Sequence, residues 1–229
     1  MTSQYIQTVL AAGSTTLLVA LASLLLATLI GLSGALAKQS EHRALRAVAT
    51  AYTFLVRGIP DLVVMLLIFY SLPALINQVF EAVGVDSQVE FSATIAGIAS
   101  LGIIFGAYMT ETFKTALQNI PRGQIEAAHA YGMSAWQTFH RIVIPQLIRL
   151  ALPGFANNWL VLAKGTALVS LIGLQDVMFR AKGAAEATGK PFTFYLVAAT
   201  FYLFITLISM ATLGVVAKRY SVGERGLSH

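Results

Sequence analysis

The sequence predicts an all-α, polytopic membrane protein with about five transmembrane helices, and three observations carry that expectation. Of 229 residues, 57% are hydrophobic and only 11% are charged, with a mean hydropathy of +0.74. A water-soluble domain carries about 25% charged residues, so this chain suits a bilayer. Apolar runs long enough to cross one, about 20 residues each, recur along the sequence. Lys and Arg gather in alternate connections between those runs, the pattern of positive-inside anchoring. The net charge of +5 is therefore read as anchoring against lipid, not as a nucleic-acid surface.

The first span is expected at 13–37; no charged side chain occurs before Lys38. A secretory leader opens on a basic region, so this stretch reads as a retained span. A second apolar stretch runs from Ala47 to Phe80, interrupted by Arg57 and Asp61. It exceeds one crossing, so the span is set at 47–76 with a kink or break at Gly58 and Pro60. The third span, 91–112, is charge-free as far as Thr110, the fourth, 150–174, contains Lys164, and the fifth, 191–217, has no charge.

Orientation follows from the basic residues. Lys38, Arg43, Arg46, Lys114, Arg122, Arg141, Arg149, Lys218, Arg219 and Arg225 fall on one side, against Arg180, Lys182 and Lys190 on the other. That distribution predicts a periplasmic N-terminus and a cytoplasmic C-terminus. The whole chain, 1–229, reads as one transmembrane domain without internal repeats or low-complexity tracts. There is no cysteine, hence no disulfide and no thiolate metal site.

The cytoplasmic loop, 121–146, carries the strongest local signal. Gln124–Tyr131 reads as a short helix with Glu126 in its first turn, where a carboxylate complements the dipole. Gly132 suits its C-terminal stop. Ser134 and Gln137 match a capping box opening a second helix, which Pro145 ends after Ile144. A helix of about eight residues is unstable alone in water, so the first must dock on something; Ala127, Ala128 and Ala130 offer it a small-residue face.

Glu126-Ala127-Ala128, three residues, Gly132, nine residues, then Ile142-Val143-Ile144-Pro145 resembles the EAA loop of ABC importer permeases. The family pattern ends Ile-x-Leu-Pro; here Ile144 replaces Leu. Arg57-Gly58-Ile59-Pro60, Gly106-Ala107-Tyr108, Glu111-Thr112-Phe113, Asn157-Asn158-Trp159, Lys164 and Thr166-Ala167-Leu168 are similar to segments of the polar amino-acid subfamily. Together with Asp61-Leu62-Val63 and the final Arg219-Tyr220-Ser221-Val222-Gly223, they look most like the Q-type permeases of histidine/lysine/arginine/ornithine importers. The resemblance implies that Glu126, Ala127, Ala128 and Gly132 couple this chain to an ATPase. It also implies a homologous M-type permease, two ATPase subunits that bind ATP and Mg, a periplasmic substrate-binding protein and a bacterial inner membrane.

An ionisable residue at membrane depth is costly and a functional candidate. The substrate-path candidates are Asp61, Arg57, Glu111, Lys164 and Asp176. Asp61 either faces the path and attracts a cationic amino acid, or pairs with Arg57 across one helical turn. Glu111 pairs with Lys114 or Lys164, and Lys164 alternatively meets a substrate carboxylate. Asp176 either receives substrate, contacts the binding protein or is a solvated loop charge. Trp136, Trp159 and the tyrosines read as interfacial anchors or packing, and the glycines and alanines of spans one and five as packing surfaces.

No catalytic or metal-binding residue is assigned. A phosphate loop requires G-x-x-x-x-G-K-[ST]; Gly183 to Lys190 comes nearest and ends in Pro191. Neither H-E-x-x-H nor G-x-S-x-G occurs. The alternative function is a stand-alone secondary transporter, but such folds carry inverted repeats and paired broken helices, and this sequence has one evident break.

Overall fold

Ala27, Gly31 and Ala35 share one helix face at four-residue spacing, and the fold is built on the close approach this face permits. The computed structural model describes residues 2–220. α1 (Thr2–Ala11) and α2 (Gly13–Gln39) open the chain. α3 (Arg43–Gly58) and α4 (Asp61–Leu66) follow, then α5 (Leu72–Ala82) and α6 (Ala93–Gln118). α7 (Arg122–Ala130) and α8 (Ala135–Thr138) lead into α9 (Ile144–Gly165), and α10 (Val177–Thr188) and α11 (Pro191–Tyr220) complete the described chain.

Five stretches among these residues are long and apolar enough to cross a membrane: Thr2–Gln39, Asp61–Ala82, Ala93–Gln118, Ala135–Ile172 and Pro191–Tyr220. The second lies C-terminal to the expected 47–76, because the chain breaks at Ile59-Pro60. Both residues are extended there, as a residue preceding proline prefers. Ala47–Gly58 instead belongs to α3, a separate helix packed across α2 and α6.

α2 and α6 run parallel and form the centre of the bundle. A Cβ on Gly31 would lie 2.4 Å from the Met109 Cβ, and one on Gly106 would lie 2.7 Å from Ile30. Val19, Met65, Leu101, Ile104, Met109, Leu162 and Val169 fill the surrounding core. A smaller second core joins α1, α10 and α11 through Val9, Val177, Ala181 and Phe194. In span five the small residues divide: Ala198 is buried in this second core, whereas a Cβ on Gly214 would meet nothing within 4 Å.

Two prolines explain where the helical ladder widens. Leu67–Ser71 and Phe139–Val143 are π-turns, followed two residues later by Pro73 and Pro145. A proline inside a helix lacks an N–H and crowds the carbonyl four residues back; here those carbonyls, of Phe69 and Arg141, lie within the wider turns. Pro145 is therefore not the expected helix stop: the helical path continues from Ala135 through α9 into the 3₁₀ segment Thr166–Ile172.

A candidate coupling loop and a set of intramembrane charges

α7 stands clear of the bundle. Its neighbours are α8 and the following π-turn, and of its residues Ala128 is buried while Glu126, Ala127 and Ala130 are exposed. The helix begins at Arg122, which removes Glu126 from the first turn where the sequence places it. Its carboxylate makes no hydrogen bond or ion pair among the described residues. Gly132 closes the helix with φ +77°, a left-handed conformation that glycine adopts without steric cost. The Met133 N–H reaches back to the Ala128 carbonyl at 3.0 Å, and the Gly132 N–H to His129 at 2.9 Å, satisfying carbonyls at the helix end. Ser134 and Gln137 form the expected capping box. Gln146 Nε2 donates to Gln124 Oε1 at 2.7 Å, tying the loop to α9. The result is a short, well-closed helix with most of its surface unclaimed.

The charged residues of the membrane region separate into distinct environments. Lys38 of α2 donates to both Glu111 of α6 and Thr53 of α3, the latter at 2.5 Å. Lys114 lies 3.7 Å from the other Glu111 oxygen. Of the two partners expected for Glu111, Lys114 is present and Lys164 is not; the stronger partner, Lys38, lies 73 residues away and has no local sequence signal. Lys164 is exposed near the end of α9 and makes no ion pair among the described residues.

Arg57 and Asp61 do not pair. The guanidinium lies over the Tyr108 ring, 5.3 Å from its centroid, a favourable cation–π geometry. Asp61 begins α4 and is half-buried, its carboxylate near the positive end of that helix. The extended Ile59-Pro60 link destroys the i,i+4 relation that a continuous helix would have given them.

Asp176 is neither solvated nor exposed. It is 1% accessible, and its Oδ1 accepts from the Phe179 N–H at 2.8 Å, capping α10. Burial raises its pKa to about 6. Its place in the joint between the two cores gives it a structural role. Asn158 donates to Thr112 at 3.0 Å, and Trp159 is buried, whereas Trp136 is exposed and stacks on His140. Ser221-Val222-Gly223 and Arg225 lie outside the described residues.

A polytopic helical chain that holds one short helix largely clear of its own bundle defines a membrane component with an exposed helical surface. The comparisons give that class its family. Residues 27–222 match the model of the binding-protein-dependent transport system inner membrane component, and the chain belongs to this family. It is 49% identical over 210 residues to the histidine/lysine/arginine/ornithine transport system permease protein HisQ of Salmonella typhimurium, covering 92% of both chains. It is 38% identical over 227 residues to the arginine ABC transporter permease protein ArtQ of Haemophilus influenzae, covering 99% of this chain and 100% of that one. Among solved structures, an amino acid ABC transporter is similar with TM-score 0.79 and 29% identity, over 95% of this chain and 96% of the other. The MetNI methionine ABC transporter shares the fold, with TM-score 0.70, 15% identity and coverage of 96% and 100%. The chain is a multi-pass protein of the bacterial inner membrane, and the secondary-transporter alternative is set aside.

Proposed function

We propose that this chain is a permease subunit of an ATP-driven importer of basic amino acids: arginine, lysine, histidine and ornithine. The observation that carries the reading is its 49% identity, across 92% of both chains, to a permease of histidine/lysine/arginine/ornithine transport. The exposed α7, closed by Gly132, supports a coupling role. Its partners are a homologous M-type permease, two ATPase subunits and a periplasmic binding protein. ATP and Mg belong to the ATPase chains. The N-terminus is periplasmic and the C-terminus cytoplasmic, which places the ten basic residues of that side, Lys38 to Arg225, with α7 inside the cell.

In this mechanism ATP binding and hydrolysis displace α7, and the spans rock around a path between the two permeases. The π-turns at Leu67–Ser71 and Phe139–Val143 supply compliant points, since such turns are local departures from the regular ladder. Asp61, at the break between α3 and α4, attracts the cationic substrate. The test is uptake of labelled arginine by proteoliposomes containing the whole complex and ATP. Saturable uptake of arginine and histidine in preference to glutamine, weakened in Asp61→Leu, supports both importer and site. Unchanged arginine uptake in that variant removes Asp61 from the path. Absence of binding-protein-dependent uptake for any amino acid overturns the importer reading.

A further inference from the structure

The side of the bundle between α9 and α11 carries an open apolar groove of about 520 Å³. Successive spans run in opposite directions. Arg149, near the start of α9, and Tyr220, at the end of α11, therefore mark one mouth, while Leu160 and Met210 lie toward the far end. From Arg149 to Leu160 the helix rises roughly 16 Å, about half of a hydrocarbon core of ~30 Å. The groove thus reaches from one interface to near the midplane, the depth of a single leaflet.

Its middle is hollow for a specific reason. A Cβ on Gly214 would have no heavy atom within 4 Å, whereas one on Gly31 would strike Met109 at 2.4 Å. Gly31 is a helix-contact glycine; Gly214 leaves space. Among the described residues no Asp or Glu lines the groove; Arg149 lines its mouth, and Lys218, one turn beyond Gly214 on α11, lies near the same helix face. Arg149 and Lys218 each already have an interaction partner, which a phosphate would join.

We propose that this groove binds an anionic phospholipid, one acyl chain lying along Pro153, Gly214 and Met210 with the phosphate at Arg149 and Lys218. Charge and depth together select this occupant. An apolar slot one leaflet deep, opening on a cationic rim, takes a hydrocarbon chain with an anionic head, and basic sites between spans recognise such heads. A zwitterionic lipid brings its own cation to the rim and gains less. The inference needs only the membrane setting of the chain and is independent of its transport substrate.

The test uses the full chain in its transport complex, reconstituted in phosphatidylcholine vesicles containing a phosphatidylglycerol with a photoactivatable group midway along one acyl chain. The expected result is labelling concentrated on Leu160, Met210 and their neighbours. The Gly214→Phe side chain enters open space and should abolish that labelling. The double variant Arg149→Gln, Lys218→Gln removes the rim charge and should weaken it by about fivefold per cation removed. Equal labelling by a photoactivatable phosphatidylcholine would overturn the selectivity for an anion. Label spread evenly over the apolar faces, absent because another subunit covers the groove, or increased by deletion of residues 221–229 would overturn the site.

Discussion

Lys38 of α2 and Glu111 of α6 form an ion pair in which the lysine side chain is 6% exposed and the glutamate 27%. Thr53 joins the pair from α3, so one cluster fixes three helices. Lys114 also approaches Glu111, which makes the two partners unequal. Removing Glu111 strands the buried ammonium, whereas removing Lys38 leaves the carboxylate beside Lys114. Loss of one partner of a fully buried pair costs about 3–5 kcal/mol; with Glu111 partly exposed, Glu111→Gln should cost less than that. Lys38→Met should cost less still, and the double variant less than the sum of the two. Thermal unfolding of the four proteins in one detergent checks the order.

Gly132 has φ +77° but open space around the position of a Cβ. Its requirement is therefore conformational. Gly132→Ala should cost about 1–2 kcal/mol through the left-handed backbone, paid locally by the end of α7. Membrane insertion and complex assembly should persist while ATP hydrolysis no longer drives uptake in proportion. The ratio of amino acid imported to ATP consumed is the informative quantity; an unchanged ratio would remove α7 from the coupling path.

The α2–α6 contact gives a packing prediction with an internal control. Gly31→Ala places a methyl 2.4 Å from the Met109 Cβ, whereas Gly214→Ala places one in open space. Overpacking costs typically about 1–3 kcal/mol, so Gly31→Ala should lower the unfolding temperature and the yield of folded protein. Gly214→Ala should leave both unchanged.

Asp176 yields a pH dependence with a defined sign. Burial raises its folded-state pKa from 3.8 to about 6, so the native state holds this proton over a range where the unfolded chain has released it. Stability from this group is therefore greatest below the unfolded value and declines as pH rises through about 6. Asp176→Asn keeps a side-chain oxygen able to cap α10 and removes the titration. Unfolding temperatures measured from pH 4.5 to 7.5 should show the native protein gaining more on acidification than the variant does.

How much of this was legible follows from which features are local. Span-length apolar runs need only composition, and the closure of α7 at Gly132 and the capping box at Ser134 and Gln137 need only short-range spacing. The continuation of a helix past Pro145 was not legible, because a proline reads as a stop unless the turn before it widens. The first turn of α7 was misplaced: helix formation begins at Arg122, directly after Pro121. The two cores, the Lys38–Glu111 pair and the burial of Asp176 depend on contacts between distant elements. For Asp176 the distant neighbour is Tyr202 of α11, and the adjoining Val177 N–H donates to Thr16, 161 residues away. Asp61 was legible as a charge beside a break, while its separation from Arg57 required the extended Ile59-Pro60 geometry.

The most direct measurement is ATP hydrolysis by the complete reconstituted complex as binding protein is added with and without amino acid. Importer function predicts that arginine- or histidine-loaded binding protein raises hydrolysis well above the basal rate, while glutamine does so weakly. Hydrolysis indifferent to binding protein and to every amino acid, in a complex shown to be fully assembled, would contradict it.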